Sequence, residues 1–468
     1  MRIICRALIF FISLNTYAQA IDNPIELNFV EYLGYVKKYH PIAKQANLVV
    51  DEGQAKLMKA RGAFDPKIDV DYATKSFKGS EYYDVLNATF KVPTWFGVEF
   101  KGGFEQNDGV YLNPERTVPV DGLYSAGVTV PLAQGLLTND RMATLRQAKF
   151  YREQAKADSD ALVNEILFEA SIAYFDWLAN YNELQVYANF LSNAEIRFQG
   201  VKQSALLGEK AAIDTVEAKI TVQNRQLSFE QARLKFIKSK LQLSTFLWLE
   251  NSVPVELQPN VVPSTLNTEV IALTLGIEAD NFTEEMVTDN AKIRSLGYKI
   301  DGLKVEKRLR LNNLLPVIDV NYNFLTETPD YLNSLNTSAY KGGVTIKLPL
   351  FLRKERGDLK LAKIKLQDTS FEFDSAQLTV RNKLIASYQE IDSYTTQTEM
   401  IEDLVVNYQA MLSAEERKFN YGESSLFLVN SREKSLIDVK LKENQLQFKT
   451  FSATASLFKN LGINPGNL

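Results

Sequence analysis

One histidine and one cysteine are all the imidazole and thiol chemistry that 468 residues offer. His40 stands directly before Pro41, and Cys5 lies close to the start of the chain. There is no His-plus-Cys set, no recognisable metal-ligand spacing and no glycine-rich phosphate loop, so nucleophilic and metal chemistry have little to stand on. Paired carboxylates occur, as they do on any acidic helix surface. The expectation is a protein that is not an enzyme, with no catalytic residues, no cofactor and no metal. His40 reads instead as a structural entry to a helix, because a proline suits the first helical turn.

The only long apolar run is at the start. Arg2 and Arg6 flank Ala7 to Leu14, and Ala18-Gln19-Ala20 fits an A-x-A cleavage site. The run is far short of the roughly 20 residues needed to span a bilayer, so residues 1–20 read as an export signal. Its removal takes out two arginines and no acid, moving the formal charge from −4 to −6, and leaves no thiol. A mildly acidic exported chain is a poor nucleic-acid binder, since phosphate neutralisation needs clustered lysine and arginine.

The rest of the chain states one pattern twice: helix, proline, alternating strands, then a very long proline-free helical stretch. Phe64-Asp65-Pro66-Lys67-Ile68-Asp69-Val70-Asp71-Tyr72 is echoed by Leu314-Leu315-Pro316-Val317-Ile318-Asp319-Val320-Asn321-Tyr322. Tyr124-Ser125-Ala126-Gly127-Val128-Thr129-Val130 is echoed by Tyr340-Lys341-Gly342-Gly343-Val344-Thr345-Ile346. A repeat that cannot close a fold within one copy must close it across copies or subunits.

After Pro66 and Pro316 the hydrophobic period becomes two. Ile68, Val70 and Tyr72 alternate with polar neighbours, as do Leu86, Ala88, Phe90 and Val92, and Phe96, Val98, Phe100 and Phe104. Ten-residue segments with one aromatic-rich face and one charged face, in an exported chain, are the weak signature of membrane-barrel strands. A half-buried soluble sheet gives the same alternation. Six strands are expected per chain, too few to close a barrel alone, and open edges are not tolerated in lipid. The two copies align with shifts of 250 positions at the prolines and 216 at the last strands, so copy one carries about 34 extra residues. Residues 81–106 are the candidate extra hairpin. Lys341 and Lys347 alternate away from the apolar face and are candidates to line a lumen.

No proline occurs between Pro131 and Pro254 or between Pro349 and Pro465. Each run carries apolar residues at steps of three and four and is broken once, at Gly208-Glu209 and Gly422-Glu423, as a glycine C-cap breaks a helix. Antiparallel hairpins of helices roughly 100 Å long follow from 1.5 Å per residue. Two shorter helices stacked end to end, about 28–62 with 209–249, and 283–313 with 425–461, match each long one. The expected layout is signal 1–20, upper helix 21–66, strands 67–133, hairpin 134–250, equatorial linker 251–282, upper helix 283–315, strands 316–350, hairpin 351–462 and tail 463–468.

This order resembles the TolC-like outer-membrane efflux protein family over nearly the whole processed chain. It is carried by His40-Pro41, Pro66, Pro316, Val128-Thr129-Val130-Pro131-Leu132 and Val344-Thr345-Ile346-Lys347-Leu348-Pro349-Leu350. The resemblance implies a mixed α and β membrane protein: a trimeric outer-membrane β-barrel continuous with a long periplasmic α-helical coiled-coil barrel, with two internal repeats per chain. It implies a homotrimer in the outer membrane of a Gram-negative bacterium, in contact with outer-membrane lipid. A periplasmic adaptor protein and an inner-membrane pump would complete the path, and no nucleic acid is involved. The usual pattern has two strands per copy, so the extra segment departs from it.

The resemblance also places residues. Gly208, Glu209, Lys210, Ala211 and Ala212, with Gly422, Glu423, Ser424, Ser425 and Leu426, would form the periplasmic tips that meet the adaptor. Asp214, Glu217, Leu428, Ser431 and Arg432 are the candidates for the aperture. Asp214 falls where some members carry a gate acid, whereas Leu428, Ser431 and Ser424 stand where others carry acids or an arginine. As a plain sequence, Asp214 and Glu217 are equally solvated helix residues. The cargo, whether drug, metal ion, siderophore or secreted polypeptide, is left open. The rival reading is a periplasmic coiled-coil protein with a small soluble sheet and no transport role.

Overall fold

The computed structural model describes residues 24–278, 281–328 and 337–464, so the segment 1–20 expected to be an export signal, with Cys5, and the end of the tail lie outside the described residues. Strand β1 (Ile25–Leu27) leads into α1 (Phe29–Tyr39) and α2 (Pro41–Arg61). The single helix expected over 28–62 is two. A residue before proline is pushed out of the helical region, and His40 is extended, with ψ 136°. Its Nδ1 accepts the Ile42 N–H at 3.3 Å and so caps α2.

Beyond Pro66 come β2 (Lys67–Phe77), β3 (Ser80–Pro93), β4 (Glu99–Asp108) and β5 (Leu123–Pro131). The hairpin α3 (Asp140–Leu206) and α4 (Ala212–Ser244) follows. Asn139 starts α3 by accepting the Met142 N–H at 2.8 Å, and the 67 residues of α3 reach about 100 Å. A connecting stretch holds β6 (Trp248–Leu249), β7 (Val253–Pro254), β8 (Val261–Pro263), α5 (Thr268–Leu275) and α6 (Glu285–Asp289). The second half runs α7 (Ala291–Asn312), β9 (Val317–Thr326), β10 (Tyr340–Lys347), α8 (Arg353–Asn420) and α9 (Leu426–Leu461).

The helices pack side by side in the order α2, α3, α7, α8 near the strands and α4, α3, α9, α8 away from them. Two seams explain how four helices lie across at both levels. His40 stacks on Phe246 at 5.9 Å and meets the edge of Trp248 at 6.1 Å, so α2 begins where α4 ends. Asn290 Nδ2 donates to the Asn460 carbonyl at 2.9 Å, so α7 begins where α9 ends.

The main core sits at this level. Phe29, Tyr32, Leu33, Tyr174, Phe175, Trp177 and Phe458 are buried there, each worth about 1.5–3 kcal/mol of transfer free energy. Lys240 pins the connecting stretch, its Nζ donating to the carbonyls of Pro259 and Val261 at 3.0 Å and to that of Gln258. Burial lowers the Lys240 pKa from the usual lysine value. Among the described residues no helix is long and apolar enough to cross a membrane.

Candidate functional site

Six strands form one antiparallel sheet in the order β2, β3, β4, β5, β9, β10. The register sorts their side chains completely. Tyr72 lies opposite Leu86, Phe90 opposite Gly102, Phe104 opposite Tyr124, Val128 opposite Tyr322, and Val320 opposite Val344. All of these fall on one face, so an apolar surface runs unbroken across the sheet. The other face carries Asp69, Asp71, Lys91, Lys101, Glu105, Asn321, Asn323, Lys341 and Lys347.

That polar face is concave. Lys341 Nζ reaches Glu105 Oε1 at 3.4 Å although β10 and β4 are three places apart in the sheet. Three strand spacings are about 14 Å of flat sheet, too far for one lysine and one glutamate, so the sheet must curl around its polar side. Gly127 fits this side: a Cβ there would collide with the Asn323 side chain. Lys91 and Asp69 pair at 2.7 Å on the same face.

The turn between β3 and β4 is fastened to the helices below. Thr94 N–H donates to the Val98 carbonyl at 2.9 Å and closes the turn. The Trp95 ring stacks on Phe64 at 5.9 Å, with the Arg146 guanidinium 5.3 Å from its centroid. Asn139 Nδ2 donates to the Trp95 carbonyl at 3.2 Å, and Arg141 reaches Glu99 at 3.3 Å.

At the far end of the bundle the two hairpin turns have the same build. Gly208 has φ 81° and Gly422 φ 77°, left-handed backbone that glycine adopts without strain. The Glu209 N–H donates to the Ser204 carbonyl and the Glu423 N–H to the Lys418 carbonyl, both at 2.9 Å, closing the last turn of α3 and α8. Ser425 caps α9, accepting the Leu428 N–H at 3.3 Å. Ala211 gives α4 no side-chain cap, and Asp214 sits in that first turn, where the helix dipole favours a carboxylate.

The turns are tied to each other. Lys210 Nζ lies 3.6 Å above the Phe419 ring. Asn430 Nδ2 donates to Glu217 Oε1 at 3.3 Å. Val201, Ala218 and Leu426 form a small core between the hairpins. Ser424 Oγ donates to Glu415 Oε1 at 2.5 Å, and Arg432 Nε lies 3.8 Å from Glu415 Oε2, so both engage an acid of their own hairpin. Ala211, Ala212, Leu428 and Ser431 are exposed, and Asp214 is half-buried. Leu207 and Phe427 are bare apolar residues at the tips, 74% and 68% exposed.

Just behind the tips lies a charged cluster that the sequence reading missed. Glu433 of α9 is wholly buried, with Arg197 of α3 at 2.6 Å and Arg225 of α4 at 3.2 Å. Arg197 also reaches Glu416 of α8 at 3.2 Å, so two arginines and two glutamates join all four helices. One signal was present: Glu433 occupies a seam position between Val429 and Leu436, both buried. Among the described residues no group of three or more His, Cys, Asp or Glu is placed to hold a metal ion.

Residues 308–463 match the family model described as outer membrane efflux protein. Among curated proteins none matches. The fold has clear relatives of known structure. The open-state MtrE outer membrane channel of Neisseria gonorrhoeae superposes with TM-score 0.66 at 13% identity, covering 93% of this chain and 89% of its own. The CmeC outer membrane channel of Campylobacter jejuni gives 0.63 at 12%, covering 94% and 86%. The outer membrane protein VceC of Vibrio cholerae gives 0.62 at 12%, covering 92% and 95%. The family match covers β9, β10 and the hairpin α8–α9 with the end of α7, and the three solved structures share the fold over more than nine-tenths of the chain.

Proposed function

We propose that this chain is the outer-membrane channel of an efflux or secretion path: three copies close one β-barrel continuous with a periplasmic helical tube. The observation that carries this reading is that one chain presents unsatisfied surface on both of its flanks. β2 and β10 are each hydrogen-bonded on one side only within the described sheet, and lipid does not tolerate open strand edges. The outer helices carry exposed apolar seams to match. Ile213, Val216, Ile220, Leu227, Leu234 and Leu241 repeat along α4 at coiled-coil spacing, and Leu361, Ile364, Phe371 and Leu378 along α8. Two different flanks that fit each other make a heterologous contact, which closes a ring when the rotation per copy allows.

In that ring the apolar sheet face meets lipid and the concave polar face, with Lys341 and Lys347, lines the lumen. The bare apolar tips around Gly208 and Gly422 fit a periplasmic adaptor that leads to an inner-membrane pump. Asp214 and Glu217, repeated three times around the mouth, would raise the local cation concentration. Fractionation tests the reading: a heat-resistant trimer in outer-membrane extracts is expected, and a soluble periplasmic monomer would overturn it.

A further inference from the structure

We infer that the extra hairpin β3–β4 is part of the barrel wall, so that three chains close a barrel of eighteen strands, with β10 of each chain paired antiparallel to β2 of the next. This rests on the three-chain reading above and goes beyond it: two strands per half would give twelve.

Three observations support it. First, β3 and β4 lie inside the sheet, between β2 and β5, paired along both sides with one bulge at Lys75/Ser76 toward the far end of β2. A hairpin standing outside the wall would leave β2 to pair β5 directly. Second, the apolar face continues through them: Leu86, Ala88, Phe90 and Val92 on β3, and Phe100, Gly102 and Phe104 on β4, fall in line with Val70 on one side and Val128 on the other. Such a band suits lipid on one face and water on the other. Third, the Trp95 turn is seated on the start of α3, at the level where the other strands join their helices.

The widths agree as well. Four helices per chain at about 10 Å spacing span an arc of about 40 Å. Six strands at about 4.8 Å spacing and 40° tilt span about 38 Å, whereas four would span about 25 Å. A six-strand share therefore meets the helical tube without a step. It makes the barrel about 36 Å across between backbones, against about 24 Å for twelve strands at the same tilt.

The edges complement one another. β2 leaves its helix directly after Pro66, and β10 returns to its helix just before Pro349, so one edge begins and the other ends at the helical side, and the two run antiparallel. Setting Lys67 level with Lys347 puts Asp69 beside Thr345 and Asp71 beside Gly343. The apolar faces then coincide, with Ile68 beside Ile346 and Val70 beside Val344.

The test uses the full trimer in vesicles containing brominated phospholipid. Single variants Thr89→Cys, Phe90→Cys and Val320→Cys each carry an environment-sensitive fluorophore. Quenching at 90 and 320, several-fold weaker at 89, is the expected result. Quenching at 320 with none at 89 or 90 would overturn the wall position of the hairpin while leaving the barrel intact. No quenching at 320 would instead overturn the barrel reading itself. Phe100→Cys on β4 repeats the measurement should Phe90→Cys not assemble. A strand count of the trimer in a lipid nanodisc is read independently: eighteen supports the inference, and twelve refutes it.

Discussion

Replacing Glu433 with alanine should loosen the hairpin-turn end of the bundle while leaving the sheet and the main core intact. Glu433 is 0% exposed, and its partners Arg197 and Arg225 are 13% and 14% exposed. With Glu416 the cluster is neutral, two positive and two negative groups. Removing Glu433 leaves one positive charge uncompensated where water has little access. Breaking a buried pair in this way costs about 3–5 kcal/mol. At about 1.4 kcal/mol per decade that is a hundredfold or more in the local opening equilibrium. Amide exchange in the first turns of α9 and in the facing part of α4 reads it, since exchange there follows local opening. Glu433→Gln keeps an acceptor and should fall between alanine and the native residue. Adding Arg225→Ala to Glu433→Ala should recover part of the loss, because the stranded charge is gone. Exchange at the tip unchanged within about threefold in Glu433→Ala would refute the assignment of this cluster as the lock across four helices.

Further outcomes follow from other parts of the molecule. Gly422→Val forces a β-branched residue to φ 77°, at about 1–2 kcal/mol, and should speed limited proteolysis at that tip while cleavage elsewhere is unchanged. Asp214→Ala with Glu217→Ala removes the Glu217–Asn430 tie between the two hairpins and should, by widening the mouth, raise single-channel conductance or antibiotic sensitivity; unchanged values of both would leave these acids as ordinary solvated residues. For His40, burial lowers the pKa from 6.5, so the unfolded chain binds the proton more readily than the folded one. Its contribution is therefore present above about pH 6.5 and lost as the pH falls through the lower folded value. Exchange at the start of α2 should rise between pH 7 and pH 5, and His40→Asn, which caps without titrating, should flatten that dependence.

Much of the fold was legible because its signals are local. Proline cannot continue a helix, so Pro66 and Pro316 mark the turns into strands. The glycines at 208 and 422 take left-handed backbone and mark the ends of α3 and α8. Alternation assigned the apolar face of the sheet residue by residue. His40 shows the limit, because an X-Pro step inside a helical pattern does not say whether the helix restarts in line. Strand order was not legible: β5 joins β9 across the long hairpin, a pairing set by how the helices pack. The Glu433 cluster was hidden for the same reason, since Arg197 and Glu433 are separated by 236 positions and meet only when both hairpins align. The tip residues were placed by family resemblance, and the structure adds their partners: Phe419 for Lys210, Asn430 for Glu217 and Glu415 for Arg432.

Ring closure by three copies is the central claim, and one crosslink addresses it directly. The double variant Asp69→Cys with Thr345→Cys, made in a Cys5→Ser background so that the chain has no other cysteine, places one thiol on each open edge of the sheet. Oxidised in outer membranes and run on a denaturing gel, it should give covalent species of two and three chains and nothing larger. A ladder continuing beyond three would mean that the edges pair without closing at a trimer. No crosslink at this pair or at the neighbouring register positions would mean that β2 and β10 do not meet between chains, and the account would fail.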